Sequence, residues 1–110
     1  MKGEQLGAFE ELVLLAVHGL GDEAYGMAVQ QVLERETGRS MSLGPVYTAL
    51  DRLEGKGLVR STMVEGTPTR GGRSRRVFRL TAAGSRALTS LQKIRARLYG
   101  LARIQPIRPR

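Results

Sequence analysis

Residues 42–59 read SLGPVYTALDRLEGKGLV: a serine, an awkward Leu-Gly-Pro run, then an amphipathic segment. Glycine and proline are the two poorest helix formers. In the first turn, however, the N–H groups have no intrahelical partner, so proline there costs little. The spacing therefore predicts a helix over 43–56, with Ser42 as its cap and Gly57 as its stop. At about 100° per residue, Ala49, Leu50 and Leu53 fall within about 60° of Val46 and form a buried stripe. Gly44, Thr48, Asp51 and Gly55 fall on the opposite side, with Tyr47 and Arg52 flanking them. A helix that buries one face and keeps the other small at its N-terminal end has the shape needed to enter a DNA groove.

The flanking segments supply a scaffold. Over residues 6–19, Leu6, Phe9, Leu12, Val13, Ala16, Val17 and Leu20 follow helical spacing, and Leu14 and Leu15 widen the stripe almost all round. A second helix is expected over 24–37, with Tyr25, Ala28, Val29, Val32 and Leu33 inward and Gly38 as C-cap. Gly26, early in it, permits a close helix–helix approach. Residues 58–65 and 75–80 read as short strands around GTPTRGGRS, which makes a hairpin. Thr81 caps a last helix over 82–104, ended by Pro106 and Pro109. Its apolar residues Ala87, Leu91, Ile94, Leu98 and Leu101 step by 4, 3, 4 and 3, the pattern of a coiled-coil seam.

Three helices and a hairpin in this order make a winged helix-turn-helix. The expected fold is mainly α with a small β-hairpin. A winged helix-turn-helix DNA-binding domain spans 1–80, a C-terminal dimerisation helix 81–105 and a tail 106–110. One domain is what 110 residues accommodate.

Charge sharpens the reading. Residues 1–65 carry six Lys/Arg against ten Asp/Glu, a net of −4, whereas residues 66–110 carry twelve Lys/Arg and no acid. Such a one-sided block repels itself unless a polyanion is near, and double-stranded DNA is the favoured partner. No run of about 18 apolar residues predicts a membrane span. The 82–104 helix has neither Trp nor Phe on its narrow seam, so membrane binding suits it poorly. The acidic first residues do not fit a signal peptide. With no cysteine, disulfides and thiolate chemistry are excluded and a cytoplasmic location is expected. No nucleophile–base pair, carboxylate pair or phosphate loop predicts an enzyme. No cofactor or metal is expected either.

The candidate DNA-binding residues are Ser42, Gly44, Tyr47, Thr48 and Arg52 on the recognition helix, and Arg70, Arg73, Arg75 and Arg76 on a basic wing over 66–76. Ser42 and the helix N-terminus suit a phosphate. Arginines on a hairpin suit phosphate or minor-groove contact. Asp51 would accept from a cytosine amino group or weaken non-specific binding by repulsion, and Asp51 and Glu54 could pair with Arg52. Leu91, Ile94, Leu98 and Leu101 form the dimerisation seam. His18, the sole histidine, reads as structural, and Met27, Met41 and Met63 as core filler. An alternative is a winged-helix protein-interaction adaptor without a specific operator.

Four pieces, LGAFEELVLLAV, AYGMAVQQVLERETGR, SLGPVYTALDRLEGKGLV and RRVFRLTAAGSRAL, together resemble the PadR family of bacterial transcriptional regulators in its short form with one C-terminal helix. The resemblance spans about Leu6 to Leu91. It implies a homodimeric repressor on a palindromic operator, released by a small-molecule effector, and carries a DNA-contact role to Tyr47.

Overall fold

The computed structural model describes residues 6–66 and 74–103. The elements are α1 (Ala8–Leu20), a 3₁₀ turn (Gly21–Glu23), α2 (Gly26–Thr37), α3 (Leu43–Gly55), β1 (Val59–Val64), β2 (Arg75–Leu80) and α4 (Ala82–Ala102). The four helices and two strands each lie within two residues of their expected bounds, and the 3₁₀ turn is an element the sequence pattern does not announce. This is a mostly helical winged fold.

One core unites the elements. Val46, Ala49, Leu50 and Leu53 of α3 are buried, as their spacing predicts, with Val13, Leu14 and Val17 of α1 and Val29 and Leu33 of α2. Phe78 of β2 is fully buried among them. Removing side chains of this size from water is the main favourable contribution to the fold. The stripe on α1 is narrower than expected, because Leu12 and Leu15 are exposed. The buried residues of α1 (Val13, Leu14, Ala16 and Val17) meet the core, whereas Leu15 lines a cleft against α4. Met27 and Met63 are also exposed rather than core filler, and Met41 alone of the three packs against the core.

The hairpin is antiparallel, with Val59 opposite Leu80, Ser61 opposite Phe78 and Met63 opposite Arg76. It gains a third partner that periodicity hid. Tyr25, expected inside the second helix, has extended backbone (φ −103°, ψ 164°) and bridges to Val77. The Phe78 N–H donates to the Ala24 carbonyl at 2.9 Å. The residues before α2 thus form a single β-bridge that ties the wing's base to the helices.

Side chains and caps set the corners. Glu10 is buried and accepts from Lys56 Nζ at 2.7 Å and from the Gly7 N–H at 3.2 Å. The Lys56 hydrogen bond holds its carboxyl below the usual carboxylate range. Gly57 ends α3 at φ +75°, a conformation that L side chains adopt with strain. Thr81 caps α4 as predicted, accepting from the Gly84 N–H at 3.0 Å and donating to the Gly57 carbonyl at 2.7 Å. Between α2 and α3, the Met41 N–H donates to Glu34 Oε2 at 2.9 Å, and the Met41 carbonyl accepts from Gln30 Nε2 at 2.8 Å.

Gly26 does permit a close approach, to the Tyr47 ring of α3. A Cβ at Gly26 would stand 2.3 Å from Tyr47 Cζ. Gly26→Ala is therefore expected to lower stability by about 1–3 kcal/mol, the usual cost of overpacking. Thermal melts check this, and the cost should shrink in a Tyr47→Ala background, because the clash is between those two positions.

Candidate nucleic-acid interface

The buried stripe of α3 fixes the helix's rotation, so its opposite face is open. Gly44, Pro45, Thr48, Asp51 and Arg52 are all exposed. Leu43, Gly44 and Pro45 form the first turn after Ser42. Ser42 has N-cap backbone geometry (φ −81°, ψ 161°), but its side chain makes no capping bond, which corrects the expected cap. Its exposed hydroxyl is left without that duty. A Cβ at Gly44 would meet nothing within 4 Å. The fold itself does not require glycine there, unlike at Gly26. The start of α1 lies alongside, and Gly7, Gly44, Pro45, Thr48 and Arg52 line a shallow depression of about 710 Å³.

Tyr47 is placed differently. It is half-buried, and its ring packs over the start of α2 at Gly26. It flanks the open face, as the helical wheel implies. Arg52 makes no ion pair among the described residues. Asp51 and Glu54 pair with Arg76 of β2 instead of with Arg52, which corrects that expectation.

The wing arginines divide. Arg70 and Arg73 lie outside the described residues. Arg75 sets its guanidinium 4.3 Å from the centroid of the Tyr25 ring. Arg76, next along the strand, points to the other face. It donates from Nη2 to Glu54 Oε1 at 2.6 Å, from Nη1 to Asp51 Oδ1 at 3.2 Å and from Nε to Ser61 Oγ at 3.1 Å. Its guanidinium also lies 4.8 Å from the Phe78 ring centroid. Strand alternation in RRVFRL is the signal for this placement: Arg76 shares a face with buried Phe78, whereas Arg75 shares one with Val77.

On α4, Leu91 is half-buried, whereas Ile94, Leu98 and Leu101 are 42%, 57% and 80% exposed. Leu12, Leu15 and Tyr99 are further exposed apolar side chains on α1 and α4. Arg95 ties the two helices through a double hydrogen bond to Glu11, with Nε at 3.0 Å from Oε2. Beside that pair a cleft of about 440 Å³ opens between the helices, lined by Leu15, His18, Leu88 and Gln92 among others. His18 is exposed at this cleft. Among the described residues no cluster of three or more His, Asp or Glu could hold a metal ion.

Residues 14–90 match the model of the transcriptional regulator PadR-like family. A curated relative, transcriptional regulator Rv3488 of Mycobacterium tuberculosis, is 40% identical over 72 residues. The match covers 66% of this chain and 63% of that protein, under two thirds of the relative's length. A PadR-like transcription factor from Bacteroides fragilis superposes with a TM-score of 0.72 at 25% identity, over 86% of each chain. RosR of H. salinarum does so with a TM-score of 0.70 at 27% identity, over 89% of this chain and 81% of its own.

Hydrogen bonds from Ser61, and then from Arg76, hold the Glu54 carboxyl below its usual range. A carboxylate depressed in the folded state stabilises the fold at neutral pH, and that contribution fades as pH falls through the lowered value. Glu54→Gln should therefore reduce stability at pH 7, with the gap to the parent protein closing below about pH 4. Denaturant unfolding across a pH series measures it; a gap that stays constant down to pH 2 would contradict the linkage.

Proposed function

The chain belongs to the PadR-like family of transcriptional regulators, and from that premise we propose that it binds double-stranded DNA as a homodimer and represses transcription from a palindromic operator. The observation that carries this reading is the open face of α3, with Gly44, Thr48 and Arg52 exposed beside a helix start that has no side chain at Gly44. Gly44 lets the backbone approach base edges, and Thr48 and Arg52 supply donors to bases or phosphates. Ser42 donates to a phosphate at the tip of α3. Tyr47, braced on α2, reaches the flanking backbone. Arg70, Arg73 and Arg75 add phosphate or minor-groove contacts from the wing.

Dimerisation rests on α4. Ile94, Leu98 and Leu101 of α4, with Leu12 and Leu15 of α1, are apolar side chains left exposed, and half-buried Leu91 continues their seam; such surface is what a second subunit would cover. A twofold dimer that seats both α3 helices in successive major grooves holds them about 34 Å apart. The small-molecule effector implied by the family fits the cleft between α1 and α4, where a ligand would bear on the joint between reading head and dimer helix. The protein acts in the cytoplasm, and no helix among the described residues is long and apolar enough to cross a membrane.

Two measurements test the reading. In gel shifts with the DNA upstream of the protein's own gene, Thr48→Ala and Arg52→Ala should each cost about 1–3 kcal/mol against the parent protein. The log of affinity should fall against log salt with a slope of about −0.9 per phosphate neutralised. Equal binding to a scrambled duplex would sink the specific-operator claim, and affinity indifferent to salt would favour a protein-docking role instead. In sedimentation, Leu98→Glu should halve the mass from twice 12.1 kDa to one chain.

A further inference from the structure

Of the two wing arginines among the described residues, Arg76 is the one whose hydrogen bonds run to the protein itself. Arg76 has one cation facing two carboxylates, Asp51 and Glu54, both on α3 and three residues apart. Each nitrogen of its guanidinium donates one hydrogen bond: Nη2 to Glu54, Nη1 to Asp51 and Nε to Ser61. The same Glu54 carboxylate accepts the Ser61 N–H at 3.2 Å and the Ser61 hydroxyl at 2.9 Å. Glu54 thereby grips both strands of the hairpin at once, β1 through Ser61 and β2 through Arg76. The face of the ion below is closed by the Phe78 ring. A phosphate recruiting Arg76 would meet a cation already neutralised by two carboxylates that repel it, with three of its five N–H groups engaged.

Resting on the DNA-binding reading above, we propose that Arg76 is a positioning residue: it locks the wing to the recognition helix through Asp51, Glu54 and Ser61, and sets the angle at which the wing meets DNA without touching the DNA itself. Asp51 takes a definite part in this. Its side chain is 60% exposed on the outward face of α3, so the outer end of the lock lies at the reading surface. The carboxylate that looked misplaced on a DNA-facing helix is the anchor for the strand behind it. The geometry asks for arginine in particular, because three acceptors in different directions match a planar fork and not a single ammonium.

The test compares Arg76→Lys, Arg76→Ala and Asp51→Asn in the full chain, with and without DNA. Asp51 is exposed, so its variant keeps the protein folded even where a change at Arg76 does not. Without DNA, amide hydrogen exchange at Ser61 should quicken about tenfold in Arg76→Lys while amides of α1 stay protected. Asp51→Asn should move it the same way by less. With the upstream DNA, Arg76→Lys should lose discrimination against a scrambled duplex about as badly as Arg76→Ala, and adding Asp51→Asn to either should cost nothing further. The opposite pattern overturns the proposal: Arg76→Lys binding like the parent protein while Arg76→Ala reduces the salt slope by about one, the mark of a direct phosphate contact. If the parent protein itself fails to discriminate between duplexes, the specific-operator reading falls, and exchange alone then decides the lock: quickened Ser61 exchange upholds it and unchanged exchange removes it.

Discussion

Everything at the reading surface depends on the burial of four side chains behind it. Val46, Ala49, Leu50 and Leu53 lie on one side of α3 and are enclosed by α1, α2 and Phe78. A helix held by such a stripe cannot rotate without exposing apolar surface or leaving a cavity, and each buried Leu lost to a void costs about 2–5 kcal/mol. The outward residues inherit that fixity. Thr48 and Arg52 stand on that fixed face and make no side-chain hydrogen bond or ion pair among the described residues.

A second constraint governs what surrounds α3. The helix is crowded on its inner side, bare at its tip and tethered near its C-terminal end. Gly26 makes room for Tyr47, whose ring braces the flank. Lys56, just past the end of α3, reaches Glu10 at the start of α1. Glu54 and Asp51 reach the wing. Contacts that position α3 thus collect along its flank and C-terminal half, and the N-terminal turn at Gly44 and Pro45 stays open. That division of labour along one helix of 13 residues is the physical content of the functional reading.

Much of this was legible in the sequence because it is local. Helical period, the glycine stops and the Thr81 cap act over a few residues, so the elements fall where their patterns place them. The hairpin was legible for the same reason, as two short runs around a turn-rich loop. What escaped was non-local. Tyr25 kept helical spacing with Val29 and Val32, yet its backbone belongs to the wing, paired with Val77 far along the chain. The partner of Asp51 and Glu54 looked like nearby Arg52, but the true one, Arg76, arrives from β2. Charge on the wing was visible as a sum, whereas the inward turn of one arginine followed only from strand alternation. Leu12 and Leu15 read as core because helical period reports apolar spacing and not which neighbour covers it.

The corner between α2 and α3 has a quieter consequence. Both backbone groups of Met41 are held by side chains of α2, Glu34 and Gln30, while Arg39 and Ser40 beside it are exposed. The direction in which the chain leaves the corner is therefore encoded upstream, in two residues of the preceding helix. Over evolutionary time the exposed corner residues can drift, acquiring whatever surface a lineage favours, without re-aiming α3. Glu34 and Gln30 lack that freedom: a change at either leaves one backbone group of Met41 without its side-chain partner.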